Sequence, residues 1–369
     1  MIDRIEKQVE LLGPAFGLQG EFVCARPFGC GHIHDTFQSV YRHGGGIRRY
    51  VHQRINTKVF PDPRSLMENI VRVTGHQQRK LLDRGVPAAG RRALQVIFTC
   101  QESPLFQDEE GRYWRTYHNV DDADSCQIVR TAEQAHEVGR AFGRFLEQLR
   151  DLPGPPLHET IPNFHDLKRR LDAFDEAVRK DALGRAAESL REIEFVQNSR
   201  GLSEVLPPLI ASGAVPIRIT HNDTKANNVL LDLKTGEGVC VVDLDTVMSG
   251  VSMYDFGDMA RTATCRASED ERKLSLVEVD LDLFEALARG FWRKAGFFLT
   301  DQERRLLPFS AKLMPLTIGV RFLTDHLSGD VYFKVNRPGQ NLDRCRVQFR
   351  LIDSIARNEE RLHQIIEDL

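Results

Sequence analysis

Apolar and polar positions alternate over the first third of the chain and take helical spacing over most of the rest. Phe22 to Ala25, Phe28 to Phe37 and Gln38 to Tyr41 read as strands, Gly44 to Gly46 as a turn, and Ile47 to Ile55 as a further β-rich stretch. The pattern predicts an antiparallel meander with a glycine-bearing first turn. Backbone N–H groups in such a turn can close over phosphates, which makes Gly29 and Gly31 candidates for nucleotide binding; the plainer reading is a hairpin glycine. Asp62 and Pro63 open a helix, as cap and first helical residue. Leu66, Met67, Ile70 and Val73 form its buried stripe. Glu68 beside that stripe has two readings: partner of a strand cation such as Arg54, or surface partner of Arg72 one helical turn on. Ala93 to Thr99 and Arg112 to Tyr117 read as two further strands, separated by an acidic turn from Gln107 to Gly111.

The polar stretch Asn119 to Ser125 marks the expected boundary between a β-rich unit over 1–119 and a helical unit over 120–369. Thr131 and Gln134 make a capping box ahead of the apolar face Ala135, Val138, Phe142, Phe145 and Leu149. Pro153 to Pro156 breaks the chain, and amphipathic helices fill 164 to about 212. Helical patterns resume at about 279–296, 302–327 and 343–367, with Gly329 stopping the middle one. The expected fold is α+β, with a small β-rich lobe and a large, mostly α-helical lobe.

Composition narrows the class. At 41% hydrophobic, 28% charged and net charge −3, the chain reads as a soluble globular protein without a bulk preference for nucleic acid or an anionic membrane. Its seven cysteines are scattered and form no CxxC pair, which suits reduced thiols in a cytoplasmic protein. Met1 to Lys7 is charged and does not read as a signal peptide. No apolar run approaches the roughly 18–20 residues of a membrane span.

One stretch carries the chemistry. Val229 to Leu231 and Val239 to Val242 are short apolar strands joined by a turn, so they run antiparallel. Asn228, just before the first, and Asp243, just after the second, meet at one edge, and Asp223 lies on the loop leading in. Magnesium (Mg2+) prefers oxygen ligands and usually takes one or two protein groups plus ATP phosphates, a role for Asn228 and Asp243. Asp223 is then available to accept the proton of a substrate hydroxyl as the phosphoryl group moves. His221 more simply orients the loop, since Asp223 already supplies a base. Asp245 is open to two readings, a contact to a second metal or substrate and a cap on the following turn.

His221-x-Asp223-x-x-x-x-Asn228 followed by Val241-Val242-Asp243 resembles the signature of aminoglycoside phosphotransferases, choline kinases and their relatives. The run Gly250 to Phe256 is similar to that superfamily's next motif, in which an aspartate, here Asp255, braces the catalytic loop. Blocks at Phe28 to Phe37, Gln53 to Asn56, Leu66 to Ile70, Tyr254 to Arg261 and Arg321 to Lys334 resemble the N-acetylhexosamine 1-kinases. The resemblance implies a protein-kinase-like two-lobed fold and ATP-dependent phosphorylation of the anomeric hydroxyl of N-acetylglucosamine or N-acetylgalactosamine. It also implies sugar contacts from His32, Arg321 and Tyr332, although Arg321 can equally pair with Asp325 along its helix. Two departures stand out. The usual kinase strand lysine is absent, with Tyr50 to Arg54 in its place, which makes Arg54 the candidate for phosphate neutralisation. His34 stands where asparagine is expected in the sugar kinases. The competing readings are a kinase of this fold for another sugar, an amino alcohol or an aminoglycoside, and a nucleotide- or sugar-binding sensor without turnover. The residues that a decayed kinase loses first, Asp223, Asn228 and Asp243, are all present.

Overall fold

The computed structural model describes residues 2–29 and 33–369. Its backbone divides into two units, Met1–Ala123 with Leu152–Ile161, and Asp124–Asp151 with Pro162–Leu369.

The first unit opens with helices α1 (Ile2–Glu10) and α2 (Leu12–Ala15), then strands β1 (Glu21–Pro27), β2 (Asp35–His43) and β3 (Gly46–Arg54). After helix α3 (Pro63–Asp83) and the single turn α4 (Ala89–Arg92) come β4 (Val96–Ile97), β5 (Phe106–Gln107) and β6 (Tyr113–His118). All pair antiparallel in the order β1-β2-β3-β6-β4, with β5 also on β6. Val9, Leu12 and Phe16 from the first two helices pack with Ala25, Phe37 and Trp114 from the sheet. Asp62 caps α3 by accepting the N–H groups of Arg64 and Ser65, ahead of Pro63. The expected strand over 93–99 shrinks to Val96–Ile97. Beyond it, the Thr99 hydroxyl accepts the N–H groups of Gln101 and Ser103, and the Ser103 hydroxyl accepts that of Leu105, so local turns replace the ladder.

The second unit is mainly helical. After the short strand β7 (Ala123–Ser125) come α5 (Ala132–Leu149), α6 (Leu167–Lys180), α7 (Leu190–Ser199) and α8 (Leu206–Ala211). Strands β8 (Arg218–Thr220), β9 (Val229–Asp232), β10 (Gly238–Val241) and β11 (Met248–Gly250) follow. Helices α9 (Ser252–Ala263), α10 (Leu281–Ala295), α11 (Asp301–Ser328), α12 (Gln340–Arg357) and α13 (Glu359–Glu367) complete it. The fold is thus α+β, sheet first and a larger helical part after. Helices α5 and α10 approach so closely that a Cβ on Gly290 would lie 2.0 Å from the His136 carbonyl oxygen. The helix expected over 343–367 breaks at Asn358, whose side-chain amide donates back to the Ser354 carbonyl.

Contrary to expectation, α11 is long and apolar enough to cross a membrane by length and composition. However, 83% of its apolar 18-residue window is buried inside the structure. Its apolar residues, among them Leu313, Leu316 and Phe322, share a core with Leu171 and Phe174 of α6, Val196 of α7 and Phe349 of α12. The sequence reading missed this because the apolar residues are interspersed with polar positions that are themselves buried, such as Ser310 and Thr317.

A polar chain crosses the first unit's sheet. His52 Nε2 meets the Ser39 hydroxyl at 2.7 Å and Nδ1 meets that of Thr116 at 2.9 Å. Burial pushes the His52 pKa down to about 3, so the folded chain keeps the ring neutral. The unfolded chain takes up a proton below about pH 6.5, so this group costs stability progressively as pH falls from about 6.5 towards 3 and nothing above that window. Thermal unfolding should therefore decline more steeply between about pH 7 and 5 in the wild type than in His52→Gln, which cannot titrate. Equal slopes would exclude His52 as a source of the pH dependence.

Candidate active site

Strands β8 and β11 pair antiparallel, Thr220 opposite Met248. The loop 221–228 leaves β8 and enters the β9–β10 hairpin, in which Val229 lies opposite Val241. The Val242 N–H donates to the Asn228 carbonyl at 2.9 Å, which fixes Asn228 and Asp243 at one end of the hairpin.

Asp255, in the first turn of α9, accepts the N–H groups of His221 at 3.0 Å and Asn222 at 2.7 Å. Its own carbonyl accepts the Thr224 hydroxyl at 2.6 Å. Burial pushes the Asp255 pKa up to about 7 against the pull of those two N–H groups, and the Asp258 and Asp223 charges push the same way. Asn222 is held in left-handed backbone, φ 64°. Its side chain donates to the carbonyls of Thr220 and Thr246 and accepts the Thr220 hydroxyl. His221 Nδ1 accepts the Asp223 N–H at 3.2 Å, and Nε2–H donates to the Val242 carbonyl at 3.0 Å. Both ring nitrogens are committed, and Phe142 and Phe145 meet the ring edge-on.

The loop therefore presents Asp223. One carboxylate oxygen, Oδ2, faces Lys225 Nζ at 3.1 Å and the Asn228 amide at 3.2 Å. Burial works against its charge, but Lys225 and His221 bring the pKa net below the usual carboxylate value. Asp243 adopts left-handed backbone, φ 63°. Its side chain reaches solvent. Desolvation by the surrounding protein, with Asp245 and Asp223 as like charges, pushes its pKa up to about 8. The Asn228 NH2 group turns onto the carbonyl and carboxylate of Asp223, so its Oδ1 has no partner among the described residues. An amide oxygen beside mutually repelling carboxylates is a donor set suited to a hard divalent cation.

Two residues without an assigned role in the sequence reading belong to this neighbourhood. Lys225 sits within the motif itself, where a cation two positions past Asp223 was the available signal. His165 comes from the turn before α6 and donates from Nε2 to the Asn222 carbonyl at 2.7 Å. Burial pushes its pKa down to about 3, and its ring packs against Phe164 and Tyr254. No short-range pattern announces that contact.

Arg321, on α11, has its guanidinium 4.7 Å from the Phe164 ring centroid, 5.5 Å from Phe333 and 5.7 Å from Tyr332. It has no hydrogen bond or ion pair among the described residues. Asp325 is turned elsewhere, so the pairing along the helix does not form. Arg170 donates to the Phe164 carbonyl, and burial followed by the Arg321 charge pushes its pKa down to about 10.

The nucleotide-side candidates lie in the first unit. Gly29 has φ 76°, a left-handed conformation that suits glycine. Gly31 and His32 lie outside the described residues. Arg54 does not pair with Glu68: strand register sets Asp35 opposite it, and the guanidinium donates from Nε at 3.1 Å and Nη2 at 2.6 Å to Asp35. Glu68 pairs instead with His158 at 3.0 Å, while Arg72 donates to the carbonyls of Pro153 and Pro155. His34 is buried, its Nδ1 accepting the Asn56 N–H at 3.0 Å.

Residues 26–292 match the phosphotransferase enzyme family, and the chain belongs to that family. Its fold is similar to a microcompartment-associated aminopropanol kinase, with 12% identity, 97% of this chain and 99% of the other covered, and TM-score 0.57. It is also similar to a spectinomycin phosphotransferase in complex with ADP and spectinomycin, with 15% identity, coverage of 96% and 98%, and TM-score 0.57. An aminoglycoside phosphotransferase from Alicyclobacillus acidocaldarius subsp. acidocaldarius aligns at 15% identity over 93% of each chain, TM-score 0.58. At these identities the likeness carries the fold.

Replacing Asp255 by alanine strands two buried N–H groups, each worth about 1–3 kcal/mol when left unpaired. Asp255→Ala should lose at least that much in chemical denaturation; an unchanged midpoint would show that the loop does not depend on this carboxylate.

Proposed function

We propose that the protein transfers the γ-phosphoryl group of ATP to the anomeric hydroxyl of an N-acetylhexosamine, giving the sugar 1-phosphate and ADP. The observation that carries phosphoryl transfer is the Asp223 carboxylate, kept ionised beside Lys225 and Asn228 at the tip of a braced loop. Asp223 accepts the hydroxyl proton as the oxygen attacks the γ-phosphorus and the bond to ADP breaks. Lys225 supplies positive charge from within the loop, a role for which Arg54, already paired with Asp35, is less suited. Asn228, through its unpartnered Oδ1, and Asp243 would hold Mg2+, which when bound neutralises phosphate charge. ADP in the similarly folded spectinomycin phosphotransferase supports the choice of donor. His221 and Asp255 hold the loop.

The acceptor assignment rests on the outer sequence blocks and on chemistry. Arg321 lies on aromatic faces with its N–H fork unused among the described residues, which suits a ligand with ring faces and carbonyl or hydroxyl acceptors. Tyr332 lines the same place, and we assign His32 to the sugar by resemblance and Gly29 and Gly31 to the nucleotide. A second reading, an amino alcohol or aminoglycoside acceptor, draws support from the similarly folded kinases. The neighbouring charges of Arg170 and Arg321 weigh against it, because a cationic acceptor would meet like charge.

Asp223→Asn should lower phosphorylation by about 10²–10⁴-fold while the protein stays folded. Full activity would remove Asp223 as the base. Lys225→Met should lower kcat by about 10²-fold or more, in line with loss of one charge-stabilising group, with little change in the acceptor KM. An acceptor panel read by ADP release separates the substrates: N-acetylglucosamine, N-acetylgalactosamine, other sugars, an amino alcohol and an aminoglycoside. Background rates with both N-acetylhexosamines would sink the sugar reading.

A further inference from the structure

Helix α11 ends in two left-handed residues, Gly329 at φ 101° and Asp330 at φ 59°. The segment that follows carries Tyr332 and Phe333, two of the three rings around Arg321. Phe333 packs against Phe322 of the helical core, whereas Val331 is 79% and Tyr332 39% exposed, so burial holds only part of the segment. Polar contacts hold its backbone, and they converge on Asp325, which is buried near the end of the helix. Its Oδ1 accepts the N–H groups of Val331 at 2.9 Å and Tyr332 at 2.8 Å. Its Oδ2 accepts the N–H of Phe333 at 3.0 Å and the side-chain amide of Asn341 at 2.9 Å.

Asn341 extends the clasp. The same amide donates to Asp330 at 2.9 Å, and its oxygen accepts from Arg344 at 3.0 Å, which also donates to the Lys334 carbonyl at 3.2 Å. From the other side Arg185 binds Asp330 and the His326 carbonyl, both at 2.7 Å. The carboxylate that would neutralise Arg321 along the helix is thereby committed to the backbone of the loop. Arg321 keeps its donors, and the loop that walls it is held in one conformation.

We propose that Asp325 is a positioning residue for the acceptor: it fixes the Val331–Phe333 backbone so that Tyr332 and Phe333 hold the Arg321 guanidinium ready for an uncharged polar ligand. This rests on the reading that Arg321 and Tyr332 face the acceptor. Preorganising a binding wall spares the ligand the ordering of that wall on association, so its loss falls on acceptor affinity before chemistry. Asparagine at this position keeps one acceptor oxygen but turns an NH2 group towards two donors, so it should restore only part of the effect.

The test uses Asp325→Ala, Asp325→Asn and Asn341→Ala in the full-length enzyme, with whichever acceptor of the panel the wild type turns over best. Asp325→Ala should raise the acceptor KM by about tenfold or more, leave the ATP KM unchanged, and lower kcat by less than the KM rises. Asp325→Asn and Asn341→Ala should fall between it and the wild type. Amide hydrogen exchange at Val331, Tyr332 and Phe333 should quicken in the same order, while α11 upstream of Arg321 keeps its protection. Faster exchange with an unmoved acceptor KM overturns the proposal, because the clasp then has no bearing on the acceptor. Unchanged exchange overturns it too, since the carboxylate then does not hold the loop. A joint loss of kcat and both affinities marks a merely structural residue and likewise overturns it. If Asp325→Ala fails to fold, the other two variants decide by the same criteria. A wild type that prefers an acceptor other than an N-acetylhexosamine defeats the sugar assignment alone, since the KM comparison proceeds with that acceptor.

Discussion

The 221–228 loop keeps its shape because the Asp255 carboxylate accepts two consecutive backbone N–H groups, from His221 and Asn222. Left-handed backbone at Asn222 costs on the order of 1–3 kcal/mol, and such strain persists only where surrounding contacts over-determine it. Those contacts come from every side. His165 donates to the Asn222 carbonyl, the Thr246 hydroxyl donates to that of His221, and the Asn222 side chain is bonded to Thr220 at the end of β8 and to Thr246 ahead of β11. Because the peptide before Asp223 cannot rotate, the Asp223 carboxylate is delivered to one place. The rest of the site is arranged around that delivery.

Charge is then divided unevenly among neighbouring carboxylates. Asp223 has a cation in contact and stays ionised, while Asp243 is pushed up to about 8 by desolvation and by the charges of Asp245 and Asp223, which outweigh the pull of Lys225. Environments that drive two acids apart in this way assign them different work. A group already ionised at neutral pH can take a proton from a hydroxyl, and a group whose charge is costly without a cation gains most from meeting one. Lys225 is the hinge of this division, since it lies beside the first and within electrostatic reach of the second.

The parts legible in the sequence were those whose geometry is local. Asn228 and Asp243 sit at the two ends of one hairpin, so the turn alone brings them together. The Asp62–Pro63 helix start and the Gly329 stop were legible for the same reason. Partner identity was not. Alternation along β3 gives the face of Arg54, but only the β2 register reveals Asp35 as its neighbour, and Glu68 finds His158 from a distant turn. Lys225 was in plain view but had no assignable partner until the loop closed on itself. His165 reaches Asn222 across a long stretch of chain through contacts that carry no periodic signature.

Arg321 and Asp325 show why spacing misleads at the end of α11. Opposite charges one helical turn apart predict an ion pair worth only about 0.3–0.5 kcal/mol on an exposed helix face. Against that, Asp325 in the structure accepts three backbone N–H groups and the buried Asn341 amide. Hydrogen bonds to a charged acceptor are worth about 1.5–3 kcal/mol each, so the competition is decided by the helix terminus and not by the neighbouring charge. The guanidinium is left on aromatic faces, where cation–π attraction restrains it without using its hydrogen-bond donors. A guanidinium with its donors unspent among the described residues follows from how the helix ends, because the same carboxylate cannot serve both the loop and the arginine.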